Sequence, residues 1–282
     1  MTIFAMQEYT EQVEETVAWL GARLDEKPEY LIQLGTGLGE LARAMEVDVR
    51  IAYEDIPHFP FSTVESHPGY LVCGRLAGKP AAILQGRVHY YEGYPARRVA
   101  FPIRVLSLLG VHTAIITNAS GGLDPAMKPG TIMIFADHLN FLGDNPLRGP
   151  NIDAWGPRFP DLSRPYDPEL QALARRAAEE LGIAWICSGT YVCIPGPSLE
   201  TPAETRYLRG CGADAVGMSS IPEILVAIHG GLRVLGLSVV ANVNDPDNMA
   251  PILLDDIVRA ARAAEPDLQR LIEKILHLDR PA

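Results

Sequence analysis

The sequence predicts an α/β fold, a single domain over residues 1–282 with a twisted mixed β-sheet at its centre and helices on both faces. Three observations carry that prediction. Short apolar runs of strand length alternate with helical-period segments through most of the chain. Two runs, 70–76 and 81–85, are joined through Ala77-Gly78-Lys79-Pro80, a hairpin signal, so the sheet is not all parallel. No linker, composition shift or repeat divides the 282 residues.

Taken in order, residues 7–24 read as a helix because Val13, Val17, Leu20 and Leu24 fall at i, i+4, i+7 and i+11, with Pro28 as the stop. Residues 30–34 form a strand, followed by Gly35-Thr36-Gly37-Leu38-Gly39 and a helical 40–45. The hairpin comes next, then a helix over 95–109 in which Pro102 is tolerable only near the first turns. Strands follow at 113–118 and 131–135. Residues 140–168 hold Pro, Gly and Asn without a period, and so long a stretch marks a lid, a binding loop or an interface. A helix over 169–181 closes at Gly182, a strand spans 189–194, and a short helix spans 202–209. An apolar helix at 221–229, a long apolar strand at 232–241 and a terminal helix at 251–276 complete the chain, with Pro266 a candidate break.

Apolar residues make up 48% and charged residues 21%, which excludes disordered, collagen-like and disulfide-dense classes. With 24 Lys and Arg against 35 Asp and Glu the net charge is −11, a field that does not favour nucleic acid or anionic lipid. A local basic pocket for a small anion remains open. No run reaches the roughly 18–20 apolar residues of a membrane span. The nearest, 221–243, is interrupted by Pro222, Glu223, His229 and Arg233. An N-terminal stretch with Glu8, Glu11, Glu14 and Glu15 is unlike a signal peptide, and four cysteines show no C-x-x-C pair. The expectation is a cytoplasmic protein with reduced thiols, no metal site, and neither nucleic acid nor membrane as partner.

Ligands of such sheets bind where strands end and helices begin. Six exits carry candidates. Gly35–Gly39 permits close backbone approach to an anion or is a structural tight turn; Glu40 stands where a dinucleotide fingerprint needs glycine. After 81–85, Arg87, His89 and Tyr91 alternate and at period 2 share a face, with donors that match phosphate; a solvated polar turn is the other reading. Asn118-Ala119-Ser120-Gly121-Gly122 offers a backbone N–H or is only a turn. Glu200 precedes Pro202 at a helix start, as a ligand carboxylate or a helix-terminus charge. Ser219 or Ser220 heads the 221–229 helix, as an anion ligand or an N-cap. Asn242 ends the most apolar strand, either gripping a polar heterocycle or satisfied in a turn.

The blocks 85–94, 117–123, 189–191 through 196–201, and 212–219, with Asn145 to Asn151 between them, occur in an order that resembles the trimeric purine nucleoside phosphorylases and their relatives, the methylthioadenosine phosphorylases. The resemblance spans about residues 30–242. It implies the nucleoside phosphorylase type I fold and phosphorolysis of 6-oxopurine nucleosides, inosine or guanosine, to free purine and ribose 1-phosphate, in purine salvage. No cofactor is implied, since phosphate is a co-substrate. Phosphate would be held by Thr36, Arg87, His89, the Ala119 backbone and Ser219, and the ribose by Tyr91, Met218 and His67. Phe159 would reach into a neighbouring subunit's site, making the enzyme a homotrimer. Glu200 and Asn242 would bind the base, lined by Leu199 and Val216, and with His89 would serve catalysis. Phosphate stabilises an oxocarbenium-like ribose and attacks it, while Asn242 donates to N7 and the 6-oxygen and Glu200 accepts from N1–H.

Three departures from the family pattern stand out. Leu199 replaces a usual phenylalanine, Ser120 replaces a common alanine, and 243–249 matches neither subfamily. Leu254 falls where nucleoside phosphorylases carry a histidine for the 5′-hydroxyl and the methylthio-specific relatives an apolar residue. That keeps a 5′-methylthioadenosine or 5′-methylthioinosine phosphorylase as the alternative, with His277 or the loop 244–249 as other sources of a polar 5′ contact. A nucleotide-cofactor oxidoreductase lacks the glycine fingerprint, and a non-catalytic nucleoside-binding protein would not need the full set of phosphate ligands.

Overall fold

Alternate residues of the first strand face opposite cores. In β1 (Tyr30–Leu34), Tyr30, Ile32 and Leu34 pack with the C-terminal helix side, while Leu31 packs with the N-terminal helix side. The strand is buried throughout, as a sheet covered on both faces requires. The computed structural model describes residues 3–35, 38–63 and 69–280. Thr36 and His67, both expected at the site, lie outside the described residues.

Helix α1 (Ile3–Gly21) buries Val13 and Leu20 on the expected stripe but stops at Gly21, short of the expected residue 24. Strand β2 (Glu46–Ala52) has no counterpart in the sequence-based expectation. It is a largely exposed edge strand in which Glu46, Asp48 and Arg50 alternate with Val47, Val49 and Ile51. It pairs antiparallel with β3 (Tyr70–Leu76), which hairpins onto β4 (Lys79–Gln85). The turn is two residues, Ala77 and Gly78, at φ 51° and 77°, so Lys79 and Pro80 already belong to the ladder. The single helix expected over 95–109 is two, α2 (Ala96–Val99) and α3 (Phe101–Leu108). Ala100 breaks them at ψ 3°, and Pro102 occupies the first turn of α3, where its missing N–H costs nothing.

Strands β5 (Thr113–Gly122) and β6 (Ile132–Asn140) run past their apolar cores into polar residues. Helix α4 (Pro168–Leu181) is capped by Asp167, which accepts from the Leu170 N–H, and by Gly182 in the left-handed conformation. Then come β7 (Ile186–Cys193), α5 (Pro202–Gly210), β8 (Ala215–Gly217), α6 (Ile221–His229), β9 (Arg233–Val243) and α7 (Leu254–Leu278). Pro266 does not break α7, which buries Ala261 and Ala264 before it and Leu268, Leu271, Ile272, Ile275 and Leu276 after it. Tertiary burial holds the helix through a residue that alone disfavours it.

The strand order is β2-β3-β4-β1-β5-β8-β7-β6-β9, and β9 also pairs parallel with β5. Strands β5, β8, β7, β6 and β9 therefore close a five-membered ring at one end of the sheet. The β5–β9 register slips between Ser120 and Gly121, a bulge at the mouth of that ring. Among the described residues no helix is long and apolar enough to cross a membrane.

Candidate active site

The exits of β4, β5, β8 and β9, and the loop before α5, meet at one cavity of about 130 Å³. Arg87, His89 and Tyr91 come from the first, Ala119 and Ser120 from β5, and Val216, Met218 and Ser219 from β8 and its continuation. Leu199 and Glu200 come from the loop before α5, and Asn242 from β9. Gly35 lets the β1 exit close against β5: a Cβ there would sit 2.7 Å from the Asn118 Cα.

At one end, the buried Arg87 donates through Nε to Glu223 Oε1 at 2.8 Å and through Nη1 to the Thr117 carbonyl at 2.6 Å. Its Nη1 lies 3.5 Å from Ser219 Oγ. Arg87 Nη2 is buried and has no partner among the described residues, nor has Glu223 Oε2. An unpartnered buried donor in a cavity wall is what an anion satisfies. Ser220 beside it has φ 74° and ψ −40°, and the Ile221 N–H donates back to the Ser219 carbonyl at 3.0 Å. This is a positive-φ γ-turn, a rare and strained conformation that re-aims the chain at the head of α6. Ser220 holds the N-cap position but makes no side-chain cap bond; its Oγ accepts from Asn118 Nδ2 at 2.9 Å.

Arg87, His89 and Tyr91 do share the cavity, though not as strand neighbours. Tyr90–Glu92 is a 3-10 turn, and it stacks the Tyr91 ring on the His89 ring, centroids 4.7 Å apart. His89 Nδ1 lies 3.0 Å from Glu92 Oε1. Burial pushes the Glu92 carboxyl up, but hydrogen bonds from His89 and Thr63 overcome it and hold the group at about 2. An ionised carboxylate only accepts, so His89 carries its proton on Nδ1.

At the other end, Glu200 is not the cap of α5. Thr201 is the N-cap and Glu204 its capping-box partner, which leaves Glu200 to the cavity. Burial raises the Glu200 carboxyl from its ordinary value, opposed by its own backbone N–H and by Asn244. Asn244 Nδ2 donates to Glu200 Oε2 at 2.9 Å, and Asn242 Nδ2 donates to Asn244 Oδ1 at 2.6 Å. Asn244 was expected only as the start of the loop 244–249 and a source of a polar 5′ contact, not at the end of the cavity that holds Glu200 and Asn242. Its signal was there, since it stands two positions beyond Asn242 and extended chain puts i and i+2 on one face. Asn118 was also expected for its backbone surroundings only. Its side chain is buried between Ser220 and Ser238, and the Ser238 hydroxyl, 2.6 Å from both Asn118 Oδ1 and Ser120 Oγ, gives the polar Ser120 its place.

Val216 is buried in the wall, and Leu199 is half exposed at the rim. Ile252, Leu254 and Ile257 form an apolar side of the same cavity. His277 does not approach it: 23 residues further along α7, it is about 35 Å from Leu254. Phe159 is 84% exposed and lines no part of the cavity within its own chain. Among the described residues no group of three or more His, Cys, Asp or Glu side chains could hold a metal ion.

A family model described as the phosphorylase superfamily matches residues 29–277. Purine nucleoside phosphorylase 1 of Bacillus subtilis is 45% identical over 266 residues, 94% of this chain and 98% of that protein. The bovine purine nucleoside phosphorylase is 41% identical, covering 94% of each chain. The chain belongs to the phosphorylase superfamily, among its purine nucleoside phosphorylases. A crystal structure of the Schistosoma purine nucleoside phosphorylase in complex with hypoxanthine superimposes with TM-score 0.90 at 38% identity, over 96% of this chain and 98% of that one. Its Schistosoma mansoni counterpart in complex with inosine gives 0.91 at 37% identity and the same coverage. The span matched to the phosphorylase superfamily contains every residue of the cavity.

Proposed function

We infer that this chain cleaves purine nucleosides by phosphorolysis, releasing the free base and ribose 1-phosphate, and that it prefers 6-oxopurines such as inosine and guanosine. The observation that carries this is a single cavity with two chemically distinct ends. One end holds the buried Arg87 with a guanidinium nitrogen unpartnered, beside Ser219; the other holds a carboxylate and two amides, Glu200, Asn242 and Asn244. The names of the relatives, and the inosine and hypoxanthine bound in the Schistosoma structures, support the same activity.

In this reading phosphate lies on Arg87, His89, Ser219, Thr36 and the Ala119 backbone. Tyr91, Met218 and His67 hold the ribose. The C1′–N9 bond breaks as a phosphate oxygen bonds to C1′ from the opposite face, and the bond's electron pair leaves with the purine. Phosphate needs no activation by a side-chain nucleophile; orientation and stabilisation of the leaving base do the catalysis. Asn242 pairs the N7 and O6 edge and Glu200 accepts from N1–H, lined by Leu199 and Val216. Residues 1–282 act as one domain, without a cofactor, in the cytoplasm and in purine salvage. The active unit is a homotrimer in which Phe159 completes the neighbouring site.

The apolar side made by Ile252, Leu254 and Ile257 favours a second reading, a 5′-methylthioadenosine or 5′-methylthioinosine phosphorylase. One panel separates them: inosine, guanosine, adenosine and 5′-methylthioadenosine, each with and without phosphate. Base release from inosine or guanosine only with phosphate or arsenate is the expected result. Release from the methylthio substrate alone establishes the second reading, and release that ignores phosphate refutes both.

A further inference from the structure

Asn244 is 3% exposed, and its backbone N–H donates to the Gly122 carbonyl at 2.8 Å. Its side chain touches Glu200 on one side and Asn242 on the other. We propose that Asn244 is a positioning residue that takes its orientation from the Glu200 carboxylate and thereby fixes which way round Asn242 presents its amide to the base. The proposal rests on Glu200 and Asn242 being the base-binding pair.

The logic is one of hydrogen-bond polarity. A carboxylate accepts and does not donate, so the end of Asn244 that faces Glu200 is its NH₂. The end that faces Asn242 is then a carbonyl oxygen, and only a donor satisfies it at 2.6 Å. Asn242 therefore turns its NH₂ toward Asn244. Reversing Asn244 sets its oxygen against the carboxylate and loses both bonds, and reversing Asn242 sets oxygen against oxygen and loses the bond between the two amides. Asn242 is left with one N–H and one carbonyl oxygen for the ligand. That donor and acceptor match the O6 and the N7–H of a 6-oxopurine as it leaves. A 6-aminopurine offers an amino donor where Asn242 has its N–H, so the polarity that suits one base opposes the other. The choice between oxo and amino then belongs to three residues in series rather than to Asn242 alone.

The relay is held from both sides. Just beyond Asn244, Arg206 of α5 pairs with Asp247 at 2.6 Å and donates to the Pro246 carbonyl at 3.0 Å. Thr205 Oγ1 of the same helix, which donates to the Thr201 carbonyl at 3.0 Å, lies 3.9 Å from the Met249 sulfur. Glu200 leads directly into α5, so one helix ties the segment after Asn244 to the carboxylate that orients it. Of the groups acting on Glu200, burial and Glu204 of α5 raise its carboxyl, while the Glu200 backbone N–H and Asn244 lower it. Removing the Asn244 donor therefore raises it further.

The test compares Asn244→Leu, which removes both bonds, with Asn244→Asp, which keeps an acceptor for Asn242 and removes the donor to Glu200. In Asn244→Leu, kcat/KM for inosine relative to adenosine should fall about tenfold, the effect of one hydrogen bond to a charged or polarised partner. The acid limb of the inosine kcat/KM profile should move to higher pH, with the phosphate KM unchanged. Asn244→Asp should keep more of the inosine preference, yet move the acid limb further, because two carboxylates then face each other. If both variants keep the wild-type ratio and the wild-type acid limb, the proposal is overturned. Should Asn244→Leu prove insoluble, Asn244→Ala, which also removes both bonds, takes its place with the same inosine-to-adenosine ratio as the readout. Glu200→Gln is the control. A loss of inosine activity there with normal Asn244 variants overturns the role of Asn244 only, whereas unchanged inosine kinetics in Glu200→Gln overturns the base-site reading beneath it.

Discussion

Replacing Arg87 by alanine removes two things at once, and the structure allows them to be separated. Its Nε and Glu223 Oε1 are 2.8 Å apart, with side chains only 3% and 1% exposed. Truncating one member of such a pair leaves a buried uncompensated charge, a loss of about 3–5 kcal/mol, whereas replacing both by apolar residues is often neutral. Arg87→Ala should therefore lower stability by about that amount, and Arg87→Leu with Glu223→Leu should recover most of it. Phosphate binding should not recover. A hydrogen bond to a charged group contributes about 1.5–3 kcal/mol, so the phosphate Kd of the double variant should rise about 10–150-fold. Denaturant unfolding with and without phosphate, at fixed protein concentration, reads both quantities. At phosphate 100 times its wild-type Kd, the wild type gains about 2.7 kcal/mol. At the same concentration the double variant should gain only about 0.3–1.4 kcal/mol. A double variant that is stable and still gains the full wild-type increment would show that the anion binds elsewhere.

The remaining predictions concern assembly, the sugar's 5′ end and acid stability. Light scattering should give about three times the 30.7 kDa chain mass, and Phe159→Ala should lower nucleoside kcat/KM while leaving the phosphate KM in place; a fully active monomer contradicts this. Removing the 5′-hydroxyl should change kcat/KM for inosine by less than about 100-fold if Leu254 faces that position, because an apolar wall leaves no polar partner unpaired; a larger loss places a donor or acceptor there. His229 is buried with Nδ1 2.7 Å from Arg104 Nη2, and burial, then the Arg104 charge, lowers its pKa from 6.5 to about 4. Between those values the unfolded chain binds a proton that the folded one does not, so stability should fall by about 2–3 kcal/mol from pH 7 to 4.5, and His229→Gln should flatten that slope. An identical slope in the variant assigns the acid loss to other groups.

Most of the site was legible because its residues stand where apolar runs stop, and a polar residue at a strand end is visible without a partner. Arg87, Ser219, Glu200 and Asn242 each follow or end such a run, and all line the cavity. What was hidden depends on pairing across long separations. Strands β5 and β9 are over a hundred residues apart in the chain, so the closed ring and its bulge at Ser120 and Gly121 leave no local trace. Edge strand β2 did carry a local signal, Val47, Val49 and Ile51 alternating with Glu46, Asp48 and Arg50, and the sequence reading passed over it. The polar residues that interrupt the apolar run 221–243 were legible only as interruptions. In the fold each is matched: Glu223 by Arg87, His229 by Arg104, and Arg233 by Asp167 and Asp279. Glu223 and His229 are buried and Arg233 partly so, and the sequence shows each without its partner.

A net charge of −11 opposes the proposed phosphate site, and Arg87 cannot reverse that by its charge, because Glu223 already balances it. The opposition is weaker than the sum suggests. Surface charges more than about 8 Å away are largely screened at physiological ionic strength. A buried site depends on the few groups within contact of the anion. There the decisive quantity is orientation: a guanidinium nitrogen already desolvated and unpartnered, a serine beside it, and a strained turn at Ser220 that fixes the chain heading α6. The desolvation of these donors is met in folding rather than at binding, so a hydrogen bond from them to the proposed phosphate would be worth more than the same bond at the surface. The ion pair explains why that arrangement survives folding. Glu223 compensates the guanidinium charge that would otherwise be buried alone, while Arg87 Nη2 has no partner among the described residues and is the donor that the proposed phosphate would take.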